Sequence, residues 1–215
     1  MSTVQDQLIL GPEMAGTLMT PEEFDSAPDG DELYVYELIH GVLIVTPPPS
    51  EGERGPNDLL GHWLRTYREK HPQGAALDYT LTEHTLCTAE NRRRADRVIW
   101  AGLGRVPNVR RELPAIVVEF VSPGRRNRQR DYHAKRDEYR EAGIAEYWII
   151  DRFRRQLTVF RQVAAAEPLS VVREGEIYTT PLLPGFELPL AQLFAESDRL
   201  EQAQQDDAVA GPRLP

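Results

Sequence analysis

The sequence has little of three features that each mark a class of protein. It has one cysteine, Cys87, in 215 residues, which excludes an internal disulfide framework and a thiolate metal cluster. No apolar run approaches the length of a membrane span and no cationic start precedes an apolar stretch, so we expect a cytoplasmic protein without a secretory signal. Cations are outnumbered by anions, 25 to 34, which argues against nonspecific coating of nucleic acid by the whole surface.

What is present is enough apolar material for a core. Hydrophobic residues make up 40% of the chain, a normal share for a globular domain. Residues 1–18 show no periodicity, and residues 198–215 are polar with few large apolar side chains. We therefore predict a flexible arm at 1–18, one domain over 19–197 and a disordered polar tail at 198–215.

The positive charge is concentrated in one segment. Between Ser122 and Arg140 the chain has seven cations and three anions. Such runs are usually solvated surface, but they also suit contacts with backbone phosphates. The arginines that enter the predicted helix of this segment are Arg125, Arg126, Arg128 and Arg130.

Local patterns predict a mixture of helices and strands. Thr20 followed by Pro21 and two acids is typical of a helix start, and His40-Gly41 separates two apolar strands by the length of a tight hairpin turn. Helices are predicted at 20–24, 57–70, 127–142 and 190–194, and strands at 34–39, 42–45, 76–88, 96–100, 115–121, 145–151, 157–161 and 169–173. This order predicts an α/β (mixed α+β) domain with a central mixed sheet flanked by helices.

The strand at 115–121 contains one charge, Glu119, among β-branched and aromatic residues. Because side chains alternate along a strand, both faces of this strand are apolar and an interior position is predicted. A buried carboxylate is costly unless a cation or good hydrogen bonds compensate it. A metal ion or a basic side chain is therefore expected beside Glu119, and a simple ion pair with an arginine is the plain alternative.

Two further acids and a lysine are candidate partners. Glu37 and Asp96 lie on or beside predicted strands, and carboxylates that converge suit Mg²⁺ or Mn²⁺. Taken singly, Glu37 reads as a surface residue and Asp96 as a strand-start cap or an ion-pair partner. On the helix at 127–142, Lys135 shares a face with Asp131 and Tyr139, so it is expected to point towards the sheet. A simple pair between Lys135 and Asp131 is the alternative to a catalytic lysine.

Several segments together resemble the PD-(D/E)xK nuclease superfamily, and specifically the Uma-type family of bacterial proteins assigned as restriction endonucleases. The resemblance extends from about Met19 to Phe194. It is carried by MTPEEF, YELIHGVLIVTPPPS, ADRVIW, IVVEFVSPGRR, RDYHAKRDEYREAGIAEYWIID and PLLPGFELPLAQLF. The resemblance implies a restriction-endonuclease-like core.

The resemblance also implies roles for single residues. Asp96 corresponds to the first metal-binding acid, Glu119 to the second, and Glu37 to the acid of the hairpin motif. In the general superfamily pattern a lysine lies two residues after the second acid, where this chain has Val121. In this family the lysine is displaced to the next helix, which matches Lys135.

A departure concerns the segment after the proline-rich stretch. The family often has a histidine there, whereas this chain has Glu51-Gly52-Glu53-Arg54. Any role of that histidine is lost or moved in this chain.

The leading hypothesis is a metal-dependent endonuclease that hydrolyses phosphodiester bonds, most simply in DNA. Asp96 and Glu119 hold Mg²⁺ or Mn²⁺ in this hypothesis, and Glu37 and Lys135 complete the catalytic set. The four arginines from Arg125 to Arg130 grip backbone phosphates, and a homodimer is expected by resemblance. The alternative is a nuclease-fold protein that binds nucleic acid or protein without cutting, which the acidic net charge and Val121 favour.

Overall fold

The computed structural model describes residues 8–28, 30–31, 33–124, 129–162 and 167–210, and these form two compact units. The first unit consists of the chain up to Pro48 together with His84–Ala95. The second consists of Pro49–Glu83 and the chain from Asp96 onwards. The sequence predicted one domain over 19–197, so the division into two units is an addition to that prediction.

The first unit contains the predicted hairpin. Strands β1 (Val35–Ile39) and β2 (Val42–Thr46) pair in antiparallel fashion. His40 and Gly41 join them with φ angles of 49° and 74°. Positive φ at both central residues is the geometry of a type I′ turn, whose twist suits the two strands. The hairpin is confirmed at the position that His40-Gly41 indicated.

The segment before the hairpin is packed where an arm was expected. Leu10 is fully buried, and helix α1 (Pro21–Ser26) begins at the predicted cap, where the Thr20 hydroxyl accepts a hydrogen bond from the amide of Glu23. The buried apolar residues of this unit are Leu10, Met19, Tyr36, Leu38 and Leu43. Apolar contacts of Leu10 and Met19 therefore order a stretch that has no periodicity of its own.

The second unit is built on a mixed sheet. The strands that follow the hairpin are β3 (Leu77–Cys87), β4 (Arg92–Ala101), β5 (Ile116–Phe120), β6 (Glu146–Asp151), β7 (Gln156–Arg161), β8 (Leu169–Arg173), β9 (Ile177–Tyr178) and β10 (Leu188–Pro189). Strand β5 pairs antiparallel with β4 on one side and parallel with β6 on the other, and β6, β7 and β8 continue in antiparallel order. Strands β3 and β4 each contribute residues to both units. The predicted central mixed sheet is confirmed.

The helices differ from the predicted ones mainly in their ends. The other helical elements are α2 (Glu51–Lys70), a π-helical segment (Arg130–Lys135), α3 (Arg136–Glu141), α4 (Leu190–Ala210) and two short 3₁₀ turns (Pro12–Met14 and Gly74–Ala76). An α-helix was expected throughout 127–142, whereas residues 130–135 form the wider π-helical turn, a rare element that often occurs at functional sites.

Helix α2 begins six residues before the predicted start because it tolerates an internal proline. Pro56 has no amide hydrogen and cannot bond the carbonyl of Gly52. Ser197 of helix α4 supplies the missing donor, with its hydroxyl 2.8 Å from that carbonyl. The helix therefore continues back to Ser50, which forms a capping box with Glu53.

The polar segment from Asp198, expected as a disordered tail, continues helix α4 as far as Ala210. Its first turns are fixed by apolar contacts of Leu190, Leu193 and Phe194, all of which are buried. Further along, Glu201 pairs with Arg152. Packing against the rest of the unit thus extends a helix whose composition alone does not predict it.

The core of the second unit lies on one face of the sheet, against α2 and α4. Its buried aromatic members are Tyr67, Phe120, Trp148, Tyr178, Phe186 and Phe194. Glu119, Tyr147 and Ile149 project to the other face, since side chains alternate along a strand. Among the residues that the structure describes, no helix is long and apolar enough to cross a membrane.

Candidate active site

Glu119 occupies the interior position that its strand predicted. All five residues of β5 are buried, and Glu119 is 3% exposed. The backbone of β5 pairs with the strands β4 and β6 on its two sides. The donors that compensate the buried Glu119 carboxylate are therefore expected to be side chains. Two side chains from the helical segment after β5 do this.

Lys135 is the charged partner of Glu119. Its Nζ lies 2.9 Å from Oε2 of Glu119 and 3.7 Å from Oδ1 of Asp131, and the three side chains are at most 4% exposed. The sequence left open a simple ion pair between Glu119 and an arginine. The structure instead shows Lys135 as the partner, and it contacts both acids. The prediction that Lys135 points towards the sheet is confirmed.

Tyr139 and Tyr147 complete the surroundings of these charges. The hydroxyl of Tyr139 donates to Oε1 of Glu119 at 3.0 Å, so each oxygen of that carboxylate has a donor. The hydroxyl of Tyr147 donates to the backbone carbonyl of Asp131 at 3.2 Å. Burial raises the pKa of Tyr147 well above its ordinary value, which keeps this hydroxyl protonated and able to donate.

Asp96 faces the same cluster from strand β4. Its Oδ2 accepts a hydrogen bond from the amide of Phe120 at 2.6 Å. Desolvation raises the pKa of Asp96 well above its ordinary value, the charge of Glu119 raises it further, and Lys135 opposes both effects. The side chain is closely surrounded by protein yet, unlike Glu119 and Lys135, belongs to a residue that keeps some accessible surface. Asp96 thus joins the charges of Glu119 and Lys135 from the neighbouring strand.

The other predicted site residues lie elsewhere or outside the described chain. Glu37 belongs to the first unit, is 3% exposed and accepts a hydrogen bond from the amide of Arg94 at 3.0 Å. It is thus a buried residue and not an exposed edge residue. Arg130 is partly exposed and its Nε lies 3.5 Å from Oδ1 of Asp131. The predicted phosphate-binding residues Arg125, Arg126 and Arg128 lie outside the described residues.

Two residues of helix α2 were missed by the sequence argument. Asn57 donates to the backbone carbonyl of Asp96 at 2.8 Å, and it also accepts a hydrogen bond from the buried Arg97 at 2.7 Å. Glu53, one turn earlier, is 4% exposed, and its charge contributes to the raised pKa of Asp96. The only signal in the sequence was the Ser50-x-x-Glu53 spacing of a capping box, which indicates a helix start and no chemistry.

The donors around Asp96 fit a hard divalent cation only in part. In the described chain, no three His, Cys, Asp or Glu side chains are arranged to hold a metal ion by themselves. Mg²⁺, however, commonly takes one or two carboxylates and fills its remaining positions with water and substrate phosphates. Asp96 and Glu119 match that lower requirement with oxygen donors of the right kind.

A separate cleft of 480 Å³ lies at the other end of helix α2. Trp63, Tyr67, His71 and Phe186 are among its lining residues, and none of the charged cluster belongs to it. We place the candidate site at the cluster because its chemistry is specific, whereas the cleft is defined by shape alone.

Comparisons with known proteins agree with this placement of the fold. The model of the Uma2 family, described as "Putative restriction endonuclease", matches residues 21–191, and the chain belongs to that family. A solved structure from Anabaena variabilis ATCC 29413, described as a "putative nuclease belonging to DUF820", is similar with a TM-score of 0.66 and 17% sequence identity. That match covers 83% of this chain and 99% of the other. No curated protein matches the chain.

Proposed function

We propose that this member of the Uma2 family is a metal-dependent endonuclease that hydrolyses phosphodiester bonds in DNA. The observation that carries the proposal is the buried contact of 2.9 Å between Lys135 and Glu119, together with the electrostatic coupling of both residues to Asp96. Buried groups whose pKa values are strongly shifted by burial and by a charged partner are enriched at sites of chemistry. A purely structural pair would need neither Asp96 nor a second acid.

Asp96 and Glu119 are the residues that would hold Mg²⁺ or Mn²⁺. When bound there, such an ion polarises the scissile phosphate and lowers the pKa of a coordinated water. The raised pKa of Asp96 reflects desolvation and the repulsion from Glu119, and a bound cation would relieve that repulsion.

Lys135 supplies the proton donors at this site. An ammonium group has three donors, and one is directed at Glu119. As the cation beside these acids, Lys135 would hold a water in position or meet the charge that develops on the phosphate. The fixed orientation of Lys135 between Glu119 and Asp131 means that little side-chain ordering is required when substrate binds.

The substrate backbone is assigned to the cationic segment that precedes Lys135. Arg130, with Arg125, Arg126 and Arg128 earlier in the same segment, would contact phosphates without reading base sequence. Two copies of the chain would cut the two strands as a homodimer. These assignments extend the proposal and each can fail without the Asp96–Glu119–Lys135 site failing.

Nicking of supercoiled plasmid DNA tests the proposal. We expect the purified chain to nick plasmid in Mg²⁺ or Mn²⁺ and to stop in EDTA. Glu119→Gln removes one of the two carboxylates that would hold the ion, and it should lower the rate by a factor on the order of 10²–10³, the size of losing one group that stabilises the developing charge. Glu141→Gln is the matched control, because Glu141 is exposed at the end of the helix that follows Lys135, and its rate should equal that of wild type.

A binding protein without nuclease activity is the second candidate, and the absence of a three-ligand metal arrangement in the described chain favours it. It predicts that wild type binds DNA in a gel-shift assay and leaves plasmid intact in Mg²⁺ and Mn²⁺. Equal nicking by wild type and Glu119→Gln would instead trace the activity to a contaminant. A single-stranded RNA of the same length, tested beside the plasmid, separates a deoxyribonuclease from a ribonuclease.

A further inference from the structure

A small cavity of 170 Å³ lies between helix α2 and strand β3 in the second unit. It is smaller than the clefts of about 300–1,000 Å³ that hold drug-sized ligands, so it suits a single small polar group. We call it the arginine pocket, and the residues that line it are Arg65, Arg68, Glu69, Leu77, Tyr79 and Thr80.

Two arginines of the pocket form no ion pair in the part of the chain that the structure describes. Arg65 and Arg68 are exposed and lie three residues apart on α2, so their side chains leave the same side of the helix. Glu69 also lines the pocket, but it is not within ion-pair distance of either arginine. Both guanidinium groups therefore keep donors for a group that enters the pocket.

A third arginine, Arg97, lies behind the wall of the pocket and is 3% exposed. Its Nε and Nη2 donate to the side-chain oxygen and the backbone carbonyl of Asn57, at 2.7 and 2.8 Å. Its Nη1 donates to the hydroxyl of Thr80 at 3.1 Å. Because Thr80 lines the pocket, the guanidinium group of Arg97 is one hydrogen bond away from the cavity.

The acceptors of Arg97 in the described chain are all neutral, whereas Arg161, for example, has the carboxylate of Glu146 at 3.0 Å. Burial lowers the pKa of Arg97 to about 10, the exposed Asp58 opposes this effect, and the charge of Arg65 adds to it. The side chain is still a cation at neutral pH, and a buried charge without a counter-charge is costly. An anion in the pocket would supply that counter-charge.

We propose that the arginine pocket binds a phosphate monoester as a dianion. Arg65, Arg68 and Arg97 against Glu69 give a balance of 3 − 1 = +2, which matches the charge of about −2 that such a group carries near neutral pH. The planar fork of arginine also matches the geometry of phosphate oxygens.

The pocket is separate from the candidate active site. Arg97 and Asp96 are consecutive on β4, so their side chains project to opposite faces of the sheet. The inference therefore goes beyond the proposed nuclease activity and does not depend on it.

Isothermal titration of the full chain with inorganic phosphate tests the pocket. The titration is run in EDTA and constant NaCl at about pH 8, where phosphate is mostly a dianion. The double variant Arg65→Gln with Arg68→Gln should bind phosphate about tenfold or more weakly than wild type, as expected when charge-assisted hydrogen bonds are lost. Arg173→Gln is the matched control and should bind as tightly as wild type. Arg173 is exposed, forms no ion pair in the described chain and lies on β8 at the far edge of the sheet.

Two changes at Arg97 test the buried cation. Arg97→Gln should weaken phosphate binding, and Arg97→Lys, which keeps the charge behind Thr80, should restore most of it. Thermal unfolding without phosphate shows whether each variant is folded. Added phosphate should raise the unfolding temperature of wild type and of Arg97→Lys, because a ligand that binds the folded state stabilises it, and should leave that of Arg97→Gln unchanged.

The source of the phosphate is separated with two DNA oligonucleotides of one sequence, one ending in a 5′-phosphate and the other in a 5′-hydroxyl. Tighter binding of the phosphorylated strand, lost in the Arg65→Gln and Arg68→Gln double variant, would assign the pocket to the end of a nucleic-acid strand. Equal binding of the two strands, with inorganic phosphate still bound, would assign it to a free phosphate compound. Both results support the site.

The inference is overturned if wild type takes up no phosphate, or if the double variant and Arg173→Gln bind phosphate equally. Either outcome leaves the proposed nuclease activity as it stands. A wild-type protein that binds phosphate but does not nick plasmid would instead overturn the nuclease proposal and leave the arginine pocket.

Discussion

Two clusters of charged side chains in the second unit are built in the same way, but one is buried and the other is exposed to solvent. Each consists of one cation between two carboxylates, namely Lys135 with Glu119 and Asp131, and Arg155 with Glu174 and Asp198. The side chains of the first cluster are at most 4% exposed, whereas those of the second are 33–56% exposed. The comparison separates what charge pairing does for stability from what it does for chemistry.

The exposed cluster needs no functional account. Ion pairs in water contribute about 0–1 kcal/mol, and an arginine whose fork meets two carboxylates is a common surface arrangement. The buried cluster is different because apolar residues of similar volume are often as stabilising as a buried ion pair. Its cation is a lysine, the basic residue whose proton is more easily tuned for chemistry. The difference favours a functional reason for retaining the buried charges.

The largest expected effect is that of Lys135→Met. Removing the buried cation leaves Glu119 with the neutral Tyr139 hydroxyl and Asp131 with the partly exposed Arg130, so we expect the free energy of unfolding at pH 7 to fall by about 3–5 kcal/mol. Urea denaturation in EDTA measures the change. A loss below about 1 kcal/mol would be no larger than that expected for the exposed cluster. It would contradict the claim that the two clusters differ in energy.

Tyr139→Phe tests how much of the stabilisation of the Glu119 carboxylate comes from an uncharged donor. The substitution removes only the hydroxyl that donates to Glu119 at 3.0 Å, and a hydrogen bond to a charged group is worth about 1.5–3 kcal/mol. We expect a loss of that size in the same assay. The T-shaped contact of Tyr139 with Tyr147 is kept by phenylalanine, so a full loss of folding would show that packing and not the hydroxyl was disturbed.

Asp96→Asn tests how the stability of the folded protein depends on pH through this one carboxyl group. The pKa of Asp96 is raised in the folded state, so the folded state binds more protons than the unfolded state between the two pKa values. The contribution of Asp96 to wild-type stability therefore falls as the pH rises from about 4, the unfolded pKa.

Asparagine removes this dependence and can still accept from the amide of Phe120. In EDTA the two proteins should be matched near pH 4, and the variant should become the more stable one at neutral pH, by about 1.4 kcal/mol for each unit of pKa shift. A variant that is less stable at pH 7 by the same assay would contradict the raised pKa. Addition of Mg²⁺ should stabilise wild type and have no effect on Asp96→Asn.

The smallest expected effect is that of Arg155→Met. We expect a loss of about 0–1 kcal/mol that shrinks further in 1 M NaCl, because exposed pairs are screened by salt. Arg155 also lies over the ring of Phe194, with its Cζ 5.0 Å from the ring centroid. A loss above about 2 kcal/mol that salt does not change would assign the effect to this ring contact and not to the ion pairs.

The sequence predicted those parts of the site that are determined by a local pattern, such as the alternation of side chains in a strand or their spacing in a helix. Alternation along β5 placed Glu119 inside, and helical spacing placed Lys135 on the sheet-facing side. The two alternatives for Lys135, a pair with Asp131 or a place beside Glu119, turned out to be compatible, since its Nζ contacts both acids.

What the sequence could not predict depends on partners distant in the chain. The early start of helix α2 is one example, because the carbonyl that Pro56 leaves without a donor is bonded by Ser197, 141 residues after Pro56. Glu53 lies in the segment that departs from the family pattern, and its burial has no local signature in the sequence. The helix over 198–210 is likewise determined by contacts such as Arg152 with Glu201. A π-helical turn at 130–135 has no periodic signature in so short a segment.

The most direct test of the central claim is the initial rate of Mg²⁺-dependent plasmid nicking by Lys135→Met and Arg155→Met, measured at a temperature where circular dichroism shows both to be folded. The account predicts that Arg155→Met nicks within about twofold of wild type and that Lys135→Met is slower by a factor on the order of 10² or more. Equal rates for the two variants would contradict it, since the buried cluster would then serve the fold in the same way as the exposed one.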